Sequence, residues 1–387
     1  MTIVLYRRRL SLTSGAGQLI QMQAEGLRGD GEDVRAACLR GALKFRLKTR
    51  LPVTRMSIDA LKTVAAAPEH LLVDHQMAVP EADLVFVHNL MTEAVRHLEC
   101  DDWARSATEE AAFFQALRPD VPVVANSELV KRALVEHFAL DPARVVVHYP
   151  GFRSDRFAPQ DAVALPGDAG NASAATASQA ESVREAVRAR YQARGSLGVA
   201  AGVPLIGFVT SGEFDKRGLD IFLASAERIA AARPDVRFLV VGAKRLPEWA
   251  SRHSLVVSRR VLYRPKSGRP ERWFAALDVF LFPARFEEFG MVVSEAQASG
   301  LPVLTSRRVG AAECLPEAYE PWLLDEPDAA AFAAKALALL GDDEAHRDLS
   351  AAGAASITAF DQWHYVRATV AMIRDCARAK SRGRAER

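Results

Sequence analysis

Two glutamates lie eight positions apart in the stretch FEEFGMVVSEAQASGLPV, which begins at Phe286. Glu287 and Glu295 stand in apolar sequence, where a buried carboxylate is costly unless a partner compensates its charge. The pattern predicts a helix that starts near Phe289. Glu295 would then lie in the second turn of this helix, and Glu287 in the loop before it. The two carboxylates would flank a ligand at the helix end.

The chemistry of such a helix end restricts the ligand. Free N–H groups at a helix N-terminus attract an anion such as phosphate, whereas neighbouring carboxylates repel it. The carboxylates of Glu287 and Glu295 therefore need neutral hydrogen-bond donors, and sugar hydroxyls are such groups. A nucleotide-sugar, with phosphates between two sugars, meets both requirements.

A second segment offers cations. The run Leu205–Val209 predicts a strand, and Lys216 and Arg217 follow it just before a predicted helix from Leu219. Gly212 lies in the small-residue turn between them. A strand, a turn, two cations and a helix start suit a phosphate group. The alternative is a solvated turn whose cations pair with nearby acids, and the turn taken alone favours this alternative.

Alternating strands and helices position these residues. Apolar runs predict strands in both halves of the chain, at residues 2–6, 34–38, 82–87, 121–125, 145–149, 205–209, 237–241, 261–263, 279–282 and 302–304. This alternation is typical of parallel sheets covered on both faces. Two such sheets facing each other form a cleft at their strand carboxyl ends, where ligands bind in open α/β folds. The loops after the strands are therefore the places to look for chemistry.

The chain of 387 residues is too long for one ordinary core, so we predict two domains. Residues 1–160 form the N-terminal, acceptor-binding domain, and 196–360 the C-terminal, nucleotide-sugar-binding domain. Residues 161–195, rich in Ala and Ser, form a linker or insertion. Residues 361–387 form a C-terminal helix that crosses back to the N-terminal domain and ends in a basic tail.

Composition excludes several classes of function. The formal net charge of +2 gives no global bias toward nucleic acid. Basic residues concentrate in two regions: 1–55 holds eleven Lys and Arg against four acids, and 374–387 holds six against two. Such patches suit either phosphate groups or an anionic membrane surface, or they are solvated faces. The four cysteines form no CxxC pair, and no run approaches the roughly 18–20 apolar residues that span a bilayer.

These segments resemble family 4 retaining glycosyltransferases of the GT-B fold. Glu287 and Glu295 match the E-x7-E motif of that family. FVTSGEFDKRGLD resembles its donor-phosphate loop, and FLFPARFEEFGMVVSEAQASGLPVLTS resembles its motif region. The resemblance covers most of residues 120–340. Within the family, these segments are most similar to lipopolysaccharide-core glucosyltransferases. The resemblance implies an α/β GT-B fold, in which two Rossmann-like, doubly wound domains face a central cleft.

The resemblance also implies roles for the donor-site residues. Glu287 contacts hydroxyls of the donor sugar, and Glu295 contacts the ribose of the nucleotide. Lys216 and Arg217 neutralise the departing nucleoside diphosphate, although their Lys-Arg-Gly order differs from the family pattern. The remaining donor-binding residues are Phe289, Gly290, Met291 and Val292, whose amides meet the diphosphate, together with Gly212 and Arg264. Glu288 is interpreted as a solvated neighbour of Glu287.

The acceptor side is implied by analogous positions in the first domain. Gly15 and Gly17 resemble the glycine loop that follows the first strand of the family, although a plain turn is the better explanation of the two glycines taken in isolation. His88 ends a predicted strand and is assigned to the reacting centre, with a hydrogen-bonded strand-end histidine as the alternative. His148 is interpreted as structural. Glu313 resembles the last residue of a Gly-Gly-x-x-Glu motif, although Val309 replaces the first glycine of that motif in this chain.

The prediction is therefore a metal-independent, retaining hexosyltransferase. It moves a hexose, with glucose and a UDP-sugar favoured by analogy, to a lipopolysaccharide core or another cell-envelope glycan or glycolipid. The chain contains no Asp-x-Asp motif, so no metal or permanently bound cofactor is expected, and no nucleic acid. The expected location is cytoplasmic, with peripheral contact to the inner face of the cell membrane. The alternatives are a non-catalytic sugar-nucleotide-binding subunit and another GT-B enzyme such as a sugar-nucleotide epimerase.

Overall fold

The structure, a computed structural model, describes residues 1–12, 14–40, 42–98, 103–157 and 177–385. Two compact units divide the chain. The first comprises Met1–Gly151 and Phe360–Arg387, and the second comprises Phe152–Ala359.

The first unit contains a seven-stranded parallel sheet with strand order β3-β2-β1-β4-β5-β6-β7. Its strands are β1 (Thr2–Tyr6), β2 (Asp33–Cys38), β3 (Val53–Arg55), β4 (His70–Asp74), β5 (Leu84–Val87), β6 (Val123–Ala125) and β7 (Val145–Val147). Its helices are α1 (Gly15–Gly29), α2 (Ala42–Thr49), α3 (Ile58–Ala66), α4 (Met91–Arg96), α5 (Ala104–Ala116), α6 (Glu128–Phe138) and α15 (Gln362–Ala385). Strands β3 and β4 were not predicted from the sequence.

Alternation of side chains along the strands gives this sheet two buried faces. In β1, Val4 and Tyr6 join one apolar cluster, whereas Ile3 and Leu5 join the other. Ile373 of α15 belongs to the second cluster, so the last helix completes the core of the first unit. Because both faces are covered by helices, polar side chains reach solvent chiefly at the strand ends.

The second unit contains a five-stranded parallel sheet with strand order β10-β9-β8-β11-β12. Its strands are β8 (Leu205–Val209), β9 (Arg237–Gly242), β10 (Val261–Pro265), β11 (Val279–Leu281) and β12 (Val303–Leu304). Its helices are α7 (Ala177–Leu197), α8 (Leu219–Ala232), α9 (Glu248–Ser251), α10 (Ser254–Val257), α11 (Glu271–Phe274), α12 (Met291–Ala298), α13 (Ala329–Leu340) and α14 (Asp343–Ile357). The predicted α/β fold with two parallel sheets is thus confirmed.

Helix α7 occupies the later part of the stretch interpreted as a linker or insertion, whose earlier part, residues 161–176, lies outside the described residues. The helix ends against the sheet of the second unit. Arg194 is 3% exposed, and its guanidinium donates to the Ala276 carbonyl at 2.8 Å and to Asp278 at 3.3 Å. Asp278 in turn accepts the backbone N–H of Leu205 at 2.6 Å. Within the described ranges, no helix is long and apolar enough to cross a membrane.

Candidate functional site

The two loops that carry the predicted chemistry follow neighbouring strands, β8 and β11. Since parallel strands end at the same edge of a sheet, residues 210–218 and 282–290 leave that edge side by side. Arg285 joins the two loops. Its backbone N–H donates to the Lys216 carbonyl at 3.0 Å, and its guanidinium donates to the Asp215 carbonyl at 2.9 Å.

Two glycines shape the first loop. Gly218 caps α8 in the left-handed region, with φ 71°, and a Cβ there would lie 2.1 Å from the Pro283 carbonyl oxygen. Only glycine allows this approach of the two loops. Gly212, with φ 141°, turns the chain directly after β8.

A buried ion pair lies beneath the loops. The Lys216 ammonium donates to Glu288 at 2.5 Å, and both side chains are 2% exposed. The Phe286 ring lies 5.5 Å from the same ammonium. The interpretation of Glu288 as a solvated acid is therefore wrong, because it compensates a buried cation. Lys216 was expected to face the diphosphate, but in the structure its ammonium is bonded to Glu288 inside the protein.

Arg217 points along the loops and is held by two carboxylates. Its Nε lies 2.9 Å from Oε2 of Glu287, and the two side chains are 13% and 12% exposed. Its Nη2 donates to Oε1 of Glu287 at 3.4 Å, while Nη1 donates to the Gly212 carbonyl at 2.6 Å and to Glu213 at 3.0 Å. The contact at Oε2 lacks hydrogen-bond alignment, so this buried oxygen has no properly directed donor among the described residues.

Charge explains the ionisation of this pair. Burial acts to raise the pKa of Glu287, but the nearby charges of Arg217 and Lys216 outweigh burial and lower it. Burial likewise acts to lower the pKa of Arg217, and the charges of Glu287 and Glu213 outweigh it in the opposite direction. Both groups are therefore charged at neutral pH.

The helix after Glu287 starts at Met291, two residues later than predicted. Gly290 is its N-cap, and its φ of 90° lies outside the helical region, so the helix cannot begin at Phe289. No side chain caps this end and its first turn contains no acid. The N–H groups of Met291 and Val292 lack acceptors within the helix because of their position. This end carries partial positive charge suited to an anion.

Backbone pairing fixes the segment before this helix. The Glu287 N–H donates to the Arg308 carbonyl at 2.9 Å, and the Gly310 N–H donates to the Glu287 carbonyl at 3.0 Å. Val309 occupies the position of the first glycine in the Gly-Gly-x-x-Glu motif. A Cβ added to Gly290 would lie only 3.0 Å from the Val309 side chain. Glu313, in the 3₁₀ helix Gly310–Cys314, is exposed.

Glu295 lies one helical turn beyond the N-terminal turn of α12. Loss of hydration raises the pKa of its carboxyl to about 8, the Arg156 charge counteracts this shift, and the Glu271 charge adds to it. Arg156 itself pairs with Glu271 at 2.6 Å. Glu295 is therefore mainly a neutral acid at pH 7, so a ligand that needs its carboxylate must compensate for that charge.

Arg264 is the last predicted donor residue of the second unit. It lies near the end of β10, and its guanidinium donates to the Tyr263 carbonyl at 2.8 Å and to the Ser196 carbonyl of α7 at 3.3 Å. The second unit thus brings together Gly212, Lys216, Arg217 and Glu287 with the start of α12, whereas Arg264 belongs to a different strand end.

Gly15 and Gly17 lie in the first turn of α1 in the first unit, rather than in a loop. Ser14 caps this helix by accepting the Gly17 N–H at 3.2 Å. A Cβ at Gly17 would lie 1.8 Å from the Ser11 carbonyl oxygen. The close passage of the chain over the helix start therefore explains Gly17.

His88 directly follows β5, and its Nε2 lies 2.9 Å from Nδ1 of His75, which follows β4. The two rings stack, with centroids 5.2 Å apart. Burial, and after it the charge of Arg7, lowers the pKa of His75 to about 3, and burial together with the neighbouring His75 and Arg7 lowers the pKa of His88 well below its usual value. Both imidazoles are therefore neutral. His88 lines a small pocket together with Leu19, Phe86, Val87, Val124, Asn126, His148, Pro150 and Tyr365.

Sequence reasoning missed Glu288, His75 and Arg156. Glu288 is the second of two adjacent acids, and its pairing depends on Lys216, 72 positions away. His75 follows strand β4, whose short apolar run Leu71–Val73 is the one signal in the sequence that points to it. Within the described ranges, no cluster of three or more His, Cys, Asp and Glu side chains is arranged to hold a metal ion.

Comparison with known proteins gives a family match for a segment of the second unit. Residues 203–342 match the family model "Glycosyl transferases group 1". This segment is similar to a group 1 glycosyl transferase domain. The segment contains both loops and α12, in agreement with the predicted resemblance.

Relatives of this chain extend the comparison. A D-inositol 3-phosphate glycosyltransferase of Streptomyces coelicolor is 30% identical over 229 residues, covering 54% of this chain and 46% of that protein. A Mycobacterium protein of the same name is 28% identical over 258 residues, covering 58% and 51%. The chain spans about half the length of these curated relatives.

Solved structures extend the likeness to both units. WaaG, a glycosyltransferase involved in lipopolysaccharide biosynthesis, is 16% identical, with a TM-score of 0.73 over 96% of this chain and 99% of its own. HepE of Anabaena in complex with UDP-glucose is 17% identical, with a TM-score of 0.71 over 97% and 100%. These similarities show the GT-B fold.

Proposed function

We propose that this chain is a retaining glycosyltransferase that moves a hexose, with glucose favoured, from a UDP-sugar to a glycan acceptor. The observation that carries the proposal is the pairing of Arg217 with Glu287 beside the uncapped start of α12. The site thereby offers a diphosphate a cation and free amides, and offers a sugar a carboxylate. The complex of HepE with UDP-glucose supports the choice of donor.

The proposed reaction takes a front-face route. The bond between the anomeric carbon and the phosphate oxygen breaks, and the acceptor oxygen bonds to the same face of that carbon. The proton of the acceptor hydroxyl passes to the departing phosphate oxygen. Arg217 and the amides of Met291 and Val292 stabilise the charge that develops on the diphosphate, while Glu287 holds the sugar hydroxyls.

Lys216 supports this reaction from beneath the site. Its charge contributes to the low pKa of Glu287, although its ammonium is bonded to Glu288. Glu295 accepts hydrogen bonds from the ribose, and Phe289, Gly290, Gly212 and Arg264 keep their predicted roles at the donor. The residues of the first unit, Gly15, Gly17 and His88, are proposed to serve the acceptor and the reacting centre.

A panel of nucleotide-sugars tests the donor. Thermal shift with UDP-, GDP- and ADP-sugars is expected to show the strongest stabilisation with UDP-glucose, because bound ligand stabilises the folded state. Release of the nucleoside diphosphate, with and without candidate acceptors, then measures turnover. Absence of binding and of hydrolysis across the whole panel would refute the proposal.

The acceptor is proposed to be a lipopolysaccharide core or another cell-envelope glycan. The fold shared with WaaG supports this class. D-inositol 3-phosphate belongs in the same acceptor panel, because relatives of this chain carry that name. NMR of the product determines whether the anomeric configuration is retained, and an inverted product would refute the retaining route.

We further propose peripheral contact with an anionic membrane at the cytoplasmic face. Helix α2 supports this proposal, since Leu43 and Leu47 are 69% and 70% exposed, one turn apart. Lys44, Arg46 and Lys48, also exposed, surround them, and Phe45 anchors the helix in the core. Exposed leucines among basic residues match the boundary between acyl chains and anionic headgroups.

Liposome co-sedimentation tests this contact. The double variant L43S/L47S is expected to bind anionic vesicles about tenfold or more weakly than the wild type, because it loses two apolar groups from the interface. V257S is the matched control, since Val257 of α10 is also 70% exposed. Equal binding by all three proteins, or equal binding to neutral and anionic vesicles, would contradict the proposal.

A non-catalytic sugar-nucleotide-binding subunit is the second candidate. Its support is the local charge, because Lys216 and Arg217 face the three carboxylates of Glu213, Glu287 and Glu288. Stabilisation by a UDP-sugar without hydrolysis or transfer to any acceptor would favour this candidate.

A further inference from the structure

Arg217 is held by three partners within the structure. A guanidinium offers five N–H donors, and Arg217 makes four contacts at 2.6–3.4 Å, to both carboxylate oxygens of Glu287, to Glu213 and to the Gly212 carbonyl. A phosphate that takes the fork of the guanidinium held by Glu287 must therefore displace that carboxylate.

The partners of Arg217 differ in their surroundings. Glu213 is 58% exposed, so water readily solvates its carboxylate once Arg217 turns away. Glu287 is 12% exposed, and its Oε2 already lacks an aligned donor. Separating Arg217 from Glu287 would strand a buried carboxylate, which is costly unless other donors replace the guanidinium.

We infer that the Arg217–Glu287 pair is a selectivity device that separates only when one ligand supplies phosphate oxygens to Arg217 and hydroxyl donors to Glu287. This inference rests on the proposed function. A nucleoside diphosphate-sugar supplies both groups. A free nucleoside diphosphate, or inorganic pyrophosphate, supplies only the first and faces the negative charge of Glu287.

The same pair also acts on the product. After the hexose leaves, Glu287 loses its hydroxyl partners while the nucleoside diphosphate still contacts Arg217. Re-formation of the ion pair then competes with the diphosphate for the guanidinium. The pair therefore promotes product release and limits product inhibition.

Removing the charge of Glu287 separates this inference from a general electrostatic effect. Glu287→Gln keeps the size of the side chain and leaves Arg217 without its buried anionic partner. Glu213→Gln removes the same charge from the exposed partner and is the matched control. Coupling between close buried charges exceeds that of exposed pairs, so Glu287→Gln is expected to tighten pyrophosphate binding about tenfold or more. Glu213→Gln is expected to tighten it less than about threefold.

Isothermal titration tests these expectations with pyrophosphate, which needs no knowledge of the base, and with UDP, UDP-glucose, GDP and GDP-mannose. The wild type is expected to prefer the sugar-bearing nucleotide over its diphosphate, and Glu287→Gln is expected to lose that preference. Equal pyrophosphate affinity in wild type and Glu287→Gln, or equal tightening by both variants, would overturn the inference. Glu287→Asp, which keeps the charge but shortens the side chain, is the second variant if Glu287→Gln does not fold. The Glu287→Asp variant has a loosened ion pair, so its affinity for pyrophosphate is expected to lie between those of the wild type and Glu287→Gln. An affinity equal to that of the wild type would again overturn the inference.

Failure of the proposed function gives a different result. A wild type that neither binds nor hydrolyses any nucleotide-sugar refutes the glycosyltransferase itself. A wild type that turns over a donor, combined with unchanged pyrophosphate affinity in Glu287→Gln, refutes only the selectivity device.

Discussion

Glu295→Gln is expected to stabilise the protein while weakening its donor site. Burial raises the pKa of the Glu295 carboxyl to about 8 from an ordinary value of 4.5. The folded state therefore holds a proton that the unfolded chain releases. Glutamine resembles the neutral acid at every pH, so the substitution removes the free-energy cost of protonating this group when the chain folds.

The sign and size of this stability change follow from the linkage between proton binding and folding. Between pH 4.5 and about 8 the native state binds more protons than the unfolded state, so wild-type stability falls as pH rises through this window. One pKa unit corresponds to about 1.4 kcal/mol, which gives at most about 3 kcal/mol at pH 7. This is an upper value, since Glu295 keeps some exposed surface. For a unit of this size the gain corresponds to roughly 6–12 °C in Tm.

Chemical denaturation of wild type and Glu295→Gln from pH 4 to pH 9 measures the difference. The free energies of unfolding should be nearly equal at pH 4 and diverge as pH rises, with the variant more stable. Donor affinity should show the opposite effect, because glutamine offers the ribose a weaker acceptor than a carboxylate. Parallel stability profiles across this range would refute the reasoning. Arg156→Gln provides a check, since loss of this cation should raise the pKa of Glu295 further.

Three further predictions concern the paired loops. Lys216→Met is expected to lower the free energy of unfolding, measured in urea, by about 3–5 kcal/mol, because it removes the cation that pairs with the buried carboxylate of Glu288. The double variant with Glu288→Leu should recover most of this loss, and equal stability of the single and double variants would contradict the buried pair. Gly218→Ala should destabilise the folded protein by about 1–3 kcal/mol, because the added Cβ would meet the Pro283 carbonyl and alanine disfavours the positive φ of this position. An unchanged Tm would count against that geometry. Arg217→Lys keeps the charge but loses the bidentate fork, so donor turnover should fall about tenfold or more with little change in stability, and wild-type kcat/KM would contradict the proposed role.

Much of the fold could be predicted because its signals are local. The strand Leu205–Val209 and the helix Leu219–Ala232 lie where their apolar patterns predict. The α/β class follows from the alternation of such elements, since parallel strands with both faces covered are continuously apolar. Strand β4 was missed because its five residues resemble a buried helical segment as much as a strand.

The sequence by itself determined that the chain has two α/β halves and that Glu287, Arg217 and a helix start each follow a predicted strand. Only the tertiary structure decided what these side chains contact. Adjacent residues of a loop point in different directions, so Lys216 turns inward to Glu288 while Arg217 pairs with Glu287. Such pairings join residues some 70 positions apart, and no local periodicity encodes them. The ionisation of Glu295 is likewise set by its burial and by the charges around it, which exist only once the chain has folded.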